Sequence, residues 1–369
     1  MNLKEKVKNL PLTPGVYLME DSQGNIIYVG KAKNLKNRVS SYFQNSKAHS
    51  QKVKKLKANI ADFNYILTDT EFEAFMLECK LIRKIKPTFN RMMKNPKSYS
   101  YILIQLDGNH HQKFEITNSV KKDSKHYFGP YTSKHFVEKA VQRLKEFFQI
   151  SCSNPTHKNT PCLNYSLGLC IGICFQETAV EQYKNILNKI IDLLNGTNTS
   201  ILEEMEQKMV AASLNYDFET AAKYRDTLDA IHSLIYKESV IEFTEANKNI
   251  VILEPLEDNS NKLFLIKGNK VLFSKKFNTA DYYMEQLVKI IKTSVLTHFK
   301  NDTNTHIEVS RNDIDEAQII YSYLKSSTCN YIVLPVNWNG IDSYIKIEDL
   351  LTNTLDKTRS NLAPSTTKS

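Results

Sequence analysis

The sequence predicts an α+β protein of several domains: a small antiparallel sheet flanked by helices, a helical cysteine-rich region, a helical hairpin and a small α/β domain. Three observations lead to this fold class. Two β-rich runs flank a turn near the start, four cysteines fall within 23 residues in the middle, and apolar residues recur at helical spacing on both sides of residues 215–217. The expected domains are 1–95, 96–200, 201–237 and 238–357, followed by a disordered tail over 358–369.

Length and composition are those of a globular protein, and 369 residues suffice for two or three domains. We expect a cytoplasmic protein without a membrane partner, because the sequence shows neither a signal peptide nor about 18 consecutive apolar residues. The first 100 residues hold 19 Lys and Arg against 8 Asp and Glu, and the rest hold 30 against 32. This basic first domain should attract nucleic acid, although its lysines over 52–57 also fit a solvated face.

A β-hairpin is the element around which the chain is organised. Residues 16–19 and 26–29 are rich in β-forming side chains, and the turn-forming residues 21–25 separate them. Directly afterwards, Leu35 and Val39 recur at helical spacing while charged side chains occupy the other positions. The sequence therefore predicts a hairpin followed by a basic helix.

Two tyrosines and two cations belong to this stretch, with Tyr17 and Tyr28 on the paired strands and Lys31 and Arg38 behind them. A phenol accepts a proton from water only when neighbouring cations lower its pKa, and a phosphorane-like transition state needs a fixed cation such as a guanidinium. The combination suits attack on a phosphodiester. Taken singly, each residue fits a core tyrosine or a solvated basic helix better.

The most informative predicted helix runs from Thr70 to Lys86. Thr70 and Glu73 form a capping box, and Pro87 ends the helix. At about 100° per residue, Glu78 lies in the middle of the apolar stripe. An unpaired carboxylate there would be costly, so it needs a metal, a proton or a cation such as a lysine from across the fold. As a hard oxygen ligand, Glu78 would suit Mg²⁺ or Mn²⁺.

These motifs carry a family resemblance. The spacing of the Gly-Val-Tyr and Tyr-Val-Gly motifs, residues 15–17 and 28–30, resembles the GIY-YIG nuclease superfamily, and residues 14–43 resemble the amino-terminal domain of the UvrC family of excinucleases. The stretch from Ala74 to Cys79 is similar to the glutamate-bearing segment of that family, except that Cys79 replaces an asparagine-like residue.

The resemblance implies a metal-dependent DNA endonuclease of nucleotide excision repair that incises damaged double-stranded DNA on the 3′ side of a lesion. Tyr28 is favoured over the other tyrosine as the group that activates water, with Lys31 lowering its pKa. Arg38 would stabilise transition-state charge, Glu78 would bind one Mg²⁺ or Mn²⁺, and Asn90, in a Lys-Pro-x-x-Asn context, would orient the site. The implied catalytic residues are Tyr17, Tyr28, Lys31, Arg38, Glu78 and Asn90.

The clustered cysteines are Cys152, Cys162, Cys170 and Cys174. Disulfides are not expected in a reducing cytosol, so the thiols suggest a tetrahedral zinc site or an iron–sulfur cluster, with independent buried cysteines as the alternative. Residues 161–174 resemble the four-cysteine segment of the UvrC family, with Gly-Ile where that family often has Ala-Pro. That resemblance implies a [4Fe–4S] cluster, and zinc remains the alternative.

Residues 202–236 form two amphipathic predicted helices that face each other. This could be an ordinary helical hairpin, or a docking module, since so small a hairpin cannot bury its own faces well. Residues 214–226 resemble the UVR motif through which UvrB and UvrC proteins associate. The resemblance implies UvrB as a partner, with UvrA acting upstream, and contacts through Phe218, Ala222 and Arg225.

Other elements follow from the same patterns. Strands are predicted over 62–68, 99–105, 249–253, 263–266, 271–277 and 331–334, and helices over 49–60, 133–148, 177–196, 280–298 and 312–325. The last of these elements suggest a small α/β domain of uncertain role.

Two other functions stay open. The chain shows no match for the RNase H-like nuclease or the helix–hairpin–helix module that end full-length members of the family, so a site for the 5′ incision is not expected. One alternative is a non-catalytic adaptor that binds DNA and UvrB, although the complete set of catalytic residues argues against it. The other is a GIY-YIG nuclease outside repair, which would explain neither the cysteines nor the helical hairpin.

Overall fold

The computed structural model describes residues 3–44, 50–90, 99–106, 113–120, 126–151, 160–161, 163–258, 260–278, 281, 283–299, 311–326, 329–335 and 345–352. The chain divides into two compact units. One unit joins Met1–Pro96 to Phe243–Ser369, and the other comprises Lys97–Glu242. Residues that the sequence assigned to separate domains, 1–95 and 238–357, therefore fold largely together. The expected disordered tail lies outside the described residues.

In the first unit, residues 3–90 form what we call the N-terminal module, with a sheet of order β2-β1-β3 and antiparallel neighbours. Its elements are α1 (Leu3–Lys8), β1 (Gly15–Glu20), β2 (Ile26–Ala32), α2 (Leu35–Phe43), α3 (Gln51–Asn59), β3 (Asp62–Leu67) and α4 (Glu71–Ile85). The Asp21 carboxylate closes the β1–β2 turn by accepting hydrogen bonds from the N–H groups of Gln23 and Asn25, both at 2.9 Å. Gly24 supplies the positive φ of 80° that the turn requires. The predicted hairpin is confirmed.

Helix α4 begins and ends where its sequence predicts. Thr70 Oγ1 accepts a hydrogen bond from the N–H of Glu73 at 3.1 Å, and Lys86 takes the left-handed conformation, with φ of 53°, before Pro87. The Glu73 carboxylate accepts from the N–H of Asp69 rather than that of Thr70. The reciprocal half of the capping box is therefore displaced by one residue.

Helix α4 is buried on two faces. On one face Ala74 and Ile82 pack against β1 and β2. On another face Phe72, Met76 and Cys79 belong to a core shared with residues from the last part of the chain. The sequence predicts a single apolar stripe centred near Glu78, whereas the structure shows that the helix has a second one.

Within the first unit, the second stripe contacts what we call the C-terminal module, the described residues from 243 to 352. Its elements are β7 (Asn249–Pro255), β8 (Ser260–Lys267), β9 (Lys270–Asn278), α10 (Met284–His298), α11 (Arg311–Lys325), β10 (Asn330–Leu334) and a helix over 345–352. The strand order is β10-β7-β8-β9, antiparallel throughout. Alternate residues of the strands face opposite sides, so one face packs on α10 and the helix over 345–352, and the other packs on α4 and α11.

The second unit contains a sheet of order β5-β4-β6 and a set of helices around one apolar core. Its elements are β4 (Ser100–Gln105), β5 (Lys113–Thr117), β6 (His126–Tyr131), α5 (Lys134–Phe147), α6 (Leu163–Ser166), α7 (Glu177–Leu194), α8 (Ser200–Leu214) and α9 (Phe218–Glu245). Helices α8 and α9 confirm the predicted hairpin, and Asp217 caps α9 by accepting from the N–H of Thr220 at 3.0 Å. Helix α9 continues well beyond the expected end at residue 237.

Most predicted elements are found within one to three residues of their expected bounds, and several unpredicted ones join them. Strand β5 lies in a polar stretch, β6 contains Gly129 and Pro130, and the helix over 345–352 is short. In the described part of the chain, no helix combines the length and apolarity that crossing a membrane requires.

The packing of α4 on the first sheet gives a stability prediction. Ile82 is 4% exposed, so we expect Ile82→Ala to lower the free energy of unfolding by about 2–5 kcal/mol through lost burial and a cavity. Leu12→Ala, at a position 63% exposed, should change it by less than about 0.5 kcal/mol. Urea unfolding followed by circular dichroism measures both, and equal losses would contradict the packing described for α4.

Candidate active site

Three tyrosines form the centre of the candidate site. Tyr17 on β1, Tyr28 on β2 and Tyr42 on α2 have ring centroids 5.9–6.3 Å apart. The hydroxyls of Tyr17 and Tyr42 are hydrogen-bonded at 2.9 Å. Tyr17 is fully buried, whereas Tyr28 is half-buried. The two predicted tyrosines therefore lie together.

Sequence reasoning missed Tyr42. It follows Leu35 and Val39 at helical spacing, so it reads as one more core position of α2. That pattern is real, since all three side chains are buried. The missing information was the position of β1 beside α2, which brings the Tyr42 hydroxyl to that of Tyr17.

Burial dominates the acidity of these phenols. It raises the pKa of Tyr17 well above the ordinary value, and the neighbouring Tyr42 and Tyr28 raise it further. The pKa of Tyr28 is also raised, first by burial and then by Tyr42 and Glu78. Arg38, whose guanidinium carbon lies 5.5 Å from the centroid of the Tyr42 ring, lowers both pKa values. Both phenols are therefore neutral at pH 7 unless a further positive charge approaches.

Glu78 lies beside this cluster on α4. Its carboxylate is half-buried, and Oε1 accepts a hydrogen bond from the backbone N–H of Lys31 at 3.2 Å. Burial raises the pKa of Glu78, although that N–H and the charges of Lys31 and Arg38 oppose the rise. Among the described residues, no other donor reaches this carboxylate, so it keeps lone pairs with which to ligate a cation.

The Lys31 side chain lies elsewhere than expected. Its ammonium binds Glu71 Oε1 at 2.7 Å and lies 4.5 Å from the centroid of the Phe75 ring. The cation that lowers the pKa of Tyr28 is Arg38. Lys31 thus joins β2 to α4 through two contacts: its backbone N–H donates to Glu78, and its ammonium pairs with Glu71. Its expected lowering of the pKa of a phenol stays a prediction.

Asn90 holds the strand that carries Tyr28. Its Oδ1 accepts from the N–H of Val29 and its Nδ2 donates to the carbonyl of Val29, both at 2.9 Å, while the N–H of Phe89 donates to the carbonyl of Ile27 at 2.9 Å. The buried amide thereby replaces a neighbouring strand along β2. This geometry suits the predicted orienting role.

A lysine that sequence reasoning treated only as part of a basic run also belongs here. Lys52 Nζ lies 5.7 Å from the centroid of the Tyr28 ring. Its position in the first turn of α3, which Ser50 caps, brings the basic helix next to Tyr28. A charge run on its own gave no reason to single out this residue.

The cysteine prediction is only half covered. Cys152 and Cys162 lie outside the described residues, whereas Cys170 and Cys174 are buried on one loop. The N–H of Gly172 donates to the sulfur of Cys170 at 3.4 Å. Two buried cysteines on one loop suit a shared metal or cluster as far as they are described.

The expected partner-binding residues lie near the tip of the α8–α9 hairpin. Phe218 is 64% exposed and forms an edge-to-face pair with Tyr216, which is 82% exposed. Ala222 is half-buried, and the exposed Arg225 pairs with Asp226 at 2.8 Å. The tip therefore presents aromatic side chains to the solvent, which is typical of protein interaction sites.

Three family models match consecutive parts of the chain. Residues 13–91 match the UvrC-like GIY-YIG domain, residues 99–193 match the middle domain of the UvrC/Cho excinuclease, and residues 199–234 match the UvrB/uvrC motif.

Relatives over almost the whole chain carry the name UvrABC system protein C. That of Alkaliphilus oremlandii is 33% identical over 92% of this chain and 56% of its own length. That of Acetivibrio thermocellus is 34% identical over 90% and 55%, and that of Clostridium tetani is 36% identical over 86% and 52%. The chain thus spans about half the length of these curated relatives.

A solved structure covers only the first part of the chain. The GIY-YIG N-terminal endonuclease domain of UvrC from Thermotoga maritima, bound to its catalytic divalent cation, magnesium, is 35% identical. It covers 25% of this chain and 100% of its own, with a TM-score of 0.22.

The contact between Gly30 and Tyr17 gives a first prediction. A Cβ at residue 30 would lie 2.3 Å from the Tyr17 hydroxyl, which is too buried to move aside. We expect Gly30→Ala to break the Tyr17–Tyr42 hydrogen bond and to cost roughly 1–3 kcal/mol of stability. Denaturation gives the loss, and ¹³C-tyrosine NMR reports the ring. Gly24→Ala, with open space around it but a positive φ, should cost about 1 kcal/mol and leave the Tyr17 signal unchanged.

The raised pKa of Glu78 gives a second prediction. Because the folded state binds this proton more tightly than the unfolded state, ionisation of Glu78 destabilises the fold as the pH rises through its pKa. In metal-free buffer at pH 7.5, Glu78→Gln should therefore raise the melting temperature by roughly 1–3 °C. This gain should vanish under acidic conditions where Glu78 is protonated. Glu5→Gln, an exposed change on α1, should have no effect, and a lower melting temperature for Glu78→Gln at pH 7.5 would refute the argument.

Proposed function

The chain belongs to the UvrC family, and on this basis we propose that it is a DNA endonuclease that makes the 3′-side incision of nucleotide excision repair. The observation that carries the proposal is the convergence of a carboxylate, a guanidinium and a tyrosine cluster at the junction of β1, β2, α2 and α4. Each group has a part in phosphodiester hydrolysis: the carboxylate as a metal ligand, the guanidinium as a stabiliser of charge, and a tyrosine as the proton acceptor.

The proton acceptor we propose is Tyr28. Tyr17 is fully buried, whereas Tyr28 is half-buried and faces the basic helix α3 through Lys52. Tyr28 would first release its own phenolic proton to the solvent, and its phenolate Oη would then take the proton of the attacking water. Because burial raises its pKa, it needs the positive charge of Arg38 and of a bound cation while it does so.

The ligand we propose for that cation is Glu78. Its carboxylate is half-buried, accepts one described hydrogen bond and is a hard oxygen donor, which fits Mg²⁺ or Mn²⁺. Such an ion would stabilise the negative charge that develops on the phosphate and the leaving oxygen. The Arg38 guanidinium would share that task, and Asn90 would keep β2, and so Tyr28, in register.

The substrate we propose is damaged double-stranded DNA. The N-terminal module supplies the positive charge, with Lys52 of the basic helix α3 beside Tyr28, so phosphate contacts would hold the duplex over the site. Lesion recognition would come from UvrA and UvrB. The exposed aromatic tip formed by Tyr216 and Phe218, with Ala222 and Arg225 behind it, is where we place the contact with UvrB.

Besides the divalent cation, we propose an iron–sulfur cluster bound by Cys152, Cys162, Cys170 and Cys174, with zinc as the alternative. Support comes from the buried pair Cys170 and Cys174 and from the N–H···S contact of Gly172. The cluster would be structural, because four thiolates leave no open coordination position. A cytoplasmic location suits both reduced cysteines and chromosomal DNA.

Incision of an end-labelled duplex with one bulky adduct, in the presence of UvrA, UvrB, ATP and Mg²⁺, tests the function. We expect one cut on the 3′ side, reduced by Glu78→Gln at least about 100-fold because the metal ligand is lost. Glu5→Gln should cut like the unchanged protein. If well-folded protein binds UvrB and DNA but makes no cut, the adaptor function replaces the nuclease. If it cuts without UvrA and UvrB and regardless of the adduct, the chain is a nuclease outside repair.

A further inference from the structure

The C-terminal module has no role in the function proposed above, yet it makes contacts with α4 at both ends of the helix. The helix carries Glu78 on the face that packs on β1 and β2. We propose that the C-terminal module is the positioning half of the nuclease site, and that Lys262 is its principal positioning residue. This inference rests on the proposed function, since it concerns the same metal-ligating carboxylate.

At the start of α4, the buried ammonium of Lys262 holds two carboxylates. It lies 2.5 Å from Asp69 Oδ2 and 2.8 Å from Glu73 Oε1, and its side chain is only 7% exposed. Lys276 on the neighbouring strand adds a longer contact to Asp69, at 3.9 Å. A buried ammonium with two carboxylate partners restrains both of them, because a shift of either weakens the pairing of a charge that is shielded from water.

At the end of α4, a second ion pair holds Arg83. Its guanidinium lies 2.7 Å from Glu316 and 3.6 Å from Asp315, both on α11, and all three side chains are less than one-fifth exposed. The charged contacts at the two ends of α4 are about 18 Å apart at 1.5 Å per residue. Glu78 lies between them, so its height along the helix axis is set from both sides.

In the first turn of α4, aromatic packing adds a constraint on the rotation of the helix. The Phe72 ring stacks on that of Tyr323, with centroids 4.2 Å apart and planes 8° from parallel. The Tyr323 hydroxyl donates to Glu254 at 2.6 Å, so this ring is itself anchored in the C-terminal module. Phe72, Met76 and Cys79 form one apolar stripe of α4, and this stripe packs on the C-terminal module.

Rotation of α4 matters to the site because Glu71 and Glu78 lie on one face, two turns apart. Both carboxylates meet Lys31, one through the ammonium and the other through the backbone N–H. The apolar stripe of α4 that contacts the C-terminal module lies roughly 130° around the helix from this face. Contacts on that stripe therefore determine where the two carboxylates stand relative to β2, without any of their residues touching substrate.

A purely structural role would stabilise the whole unit and leave the metal affinity of the folded protein unchanged. The experiment is therefore a titration of the full chain with Mn²⁺, in which free Mn²⁺ is followed by its electron paramagnetic resonance signal well below the unfolding temperature. The variant Lys262→Met keeps the apolar stem and removes the ammonium. We expect it to weaken Mn²⁺ binding about 10-fold, as loss of a group supporting a ligand does, and we expect Lys262→Arg to restore most of the affinity.

Two controls separate positioning from stability and from charge. Val295→Ala opens a cavity in the core on the other face of the same sheet, so it should lower stability and leave Mn²⁺ affinity unchanged. Lys275→Met removes an exposed lysine from β9, next in sequence to Lys276, and should also leave the Mn²⁺ affinity unchanged. If Lys262→Met does not fold, the pair Asp315→Asn and Glu316→Gln, which releases Arg83, should weaken Mn²⁺ binding instead.

Three outcomes would overturn the inference. If folded Lys262→Met binds Mn²⁺ as tightly as the unchanged protein, the contacts do not position Glu78. Where Lys262→Met does not fold, the same result for the double variant at Asp315 and Glu316 leads to the same conclusion. A loss of equal size in Val295→Ala would show a general effect of stability. Mn²⁺ binding by Glu78→Gln as tight as that of the unchanged protein would refute the proposed metal site itself, and the inference with it. The incision assay is scored separately, so the two failures are distinguishable.

Discussion

The first unit depends on one constraint: a carboxylate must be held half-buried on a helix that has apolar neighbours on two sides. Ionised Glu78 is disfavoured by burial, and within the described part of the chain the Lys31 N–H and the charges of Lys31 and Arg38 oppose that cost. A free carboxylate of this kind persists only where the surrounding packing leaves the helix no other position. The two sheets that enclose α4 supply that packing, one through Ala74 and Ile82 and the other through Phe72 and Cys79.

The tyrosine cluster follows the same logic, because burial disfavours a phenolate as it disfavours the carboxylate. Burial and the neighbouring phenols raise the pKa values of Tyr17 and Tyr28, so these two phenols keep their protons until a cation enters. Arg38 is present already, and it lowers the pKa of the two phenols on the strands. A divalent ion at this site would compensate both the desolvation of the carboxylate and the raised pKa values of the two phenols.

Sequence alone predicted the parts of the site whose signal is local. Turn residues marked the β1–β2 hairpin, Thr70 and Pro87 marked α4, and the apolar positions around Glu78 marked a carboxylate with no solvated explanation. Tyr42 and the contact of Lys52 with Tyr28 were missed because they depend on how α2 and α3 lie on the sheet, which no spacing encodes. The union of residues 3–90 with residues 243–352 was missed for the same reason: Phe72, Met76 and Cys79 show that a second face is apolar, not which strands cover it.

Cys79, the residue at which the sequence differs from the glutamate-bearing segment of the family, lies on the second apolar face of α4. It directly follows Glu78, where an asparagine-like residue would bring an amide, and it is fully buried among residues of β7, β8 and α11. Burial raises the pKa of its thiol to about 11, so the side chain stays neutral and acts as a small apolar group. An amide in this core would need hydrogen-bond partners, whereas a thiol does not. The substitution therefore fits the face turned to the C-terminal module and leaves the face that carries Glu78 unaltered.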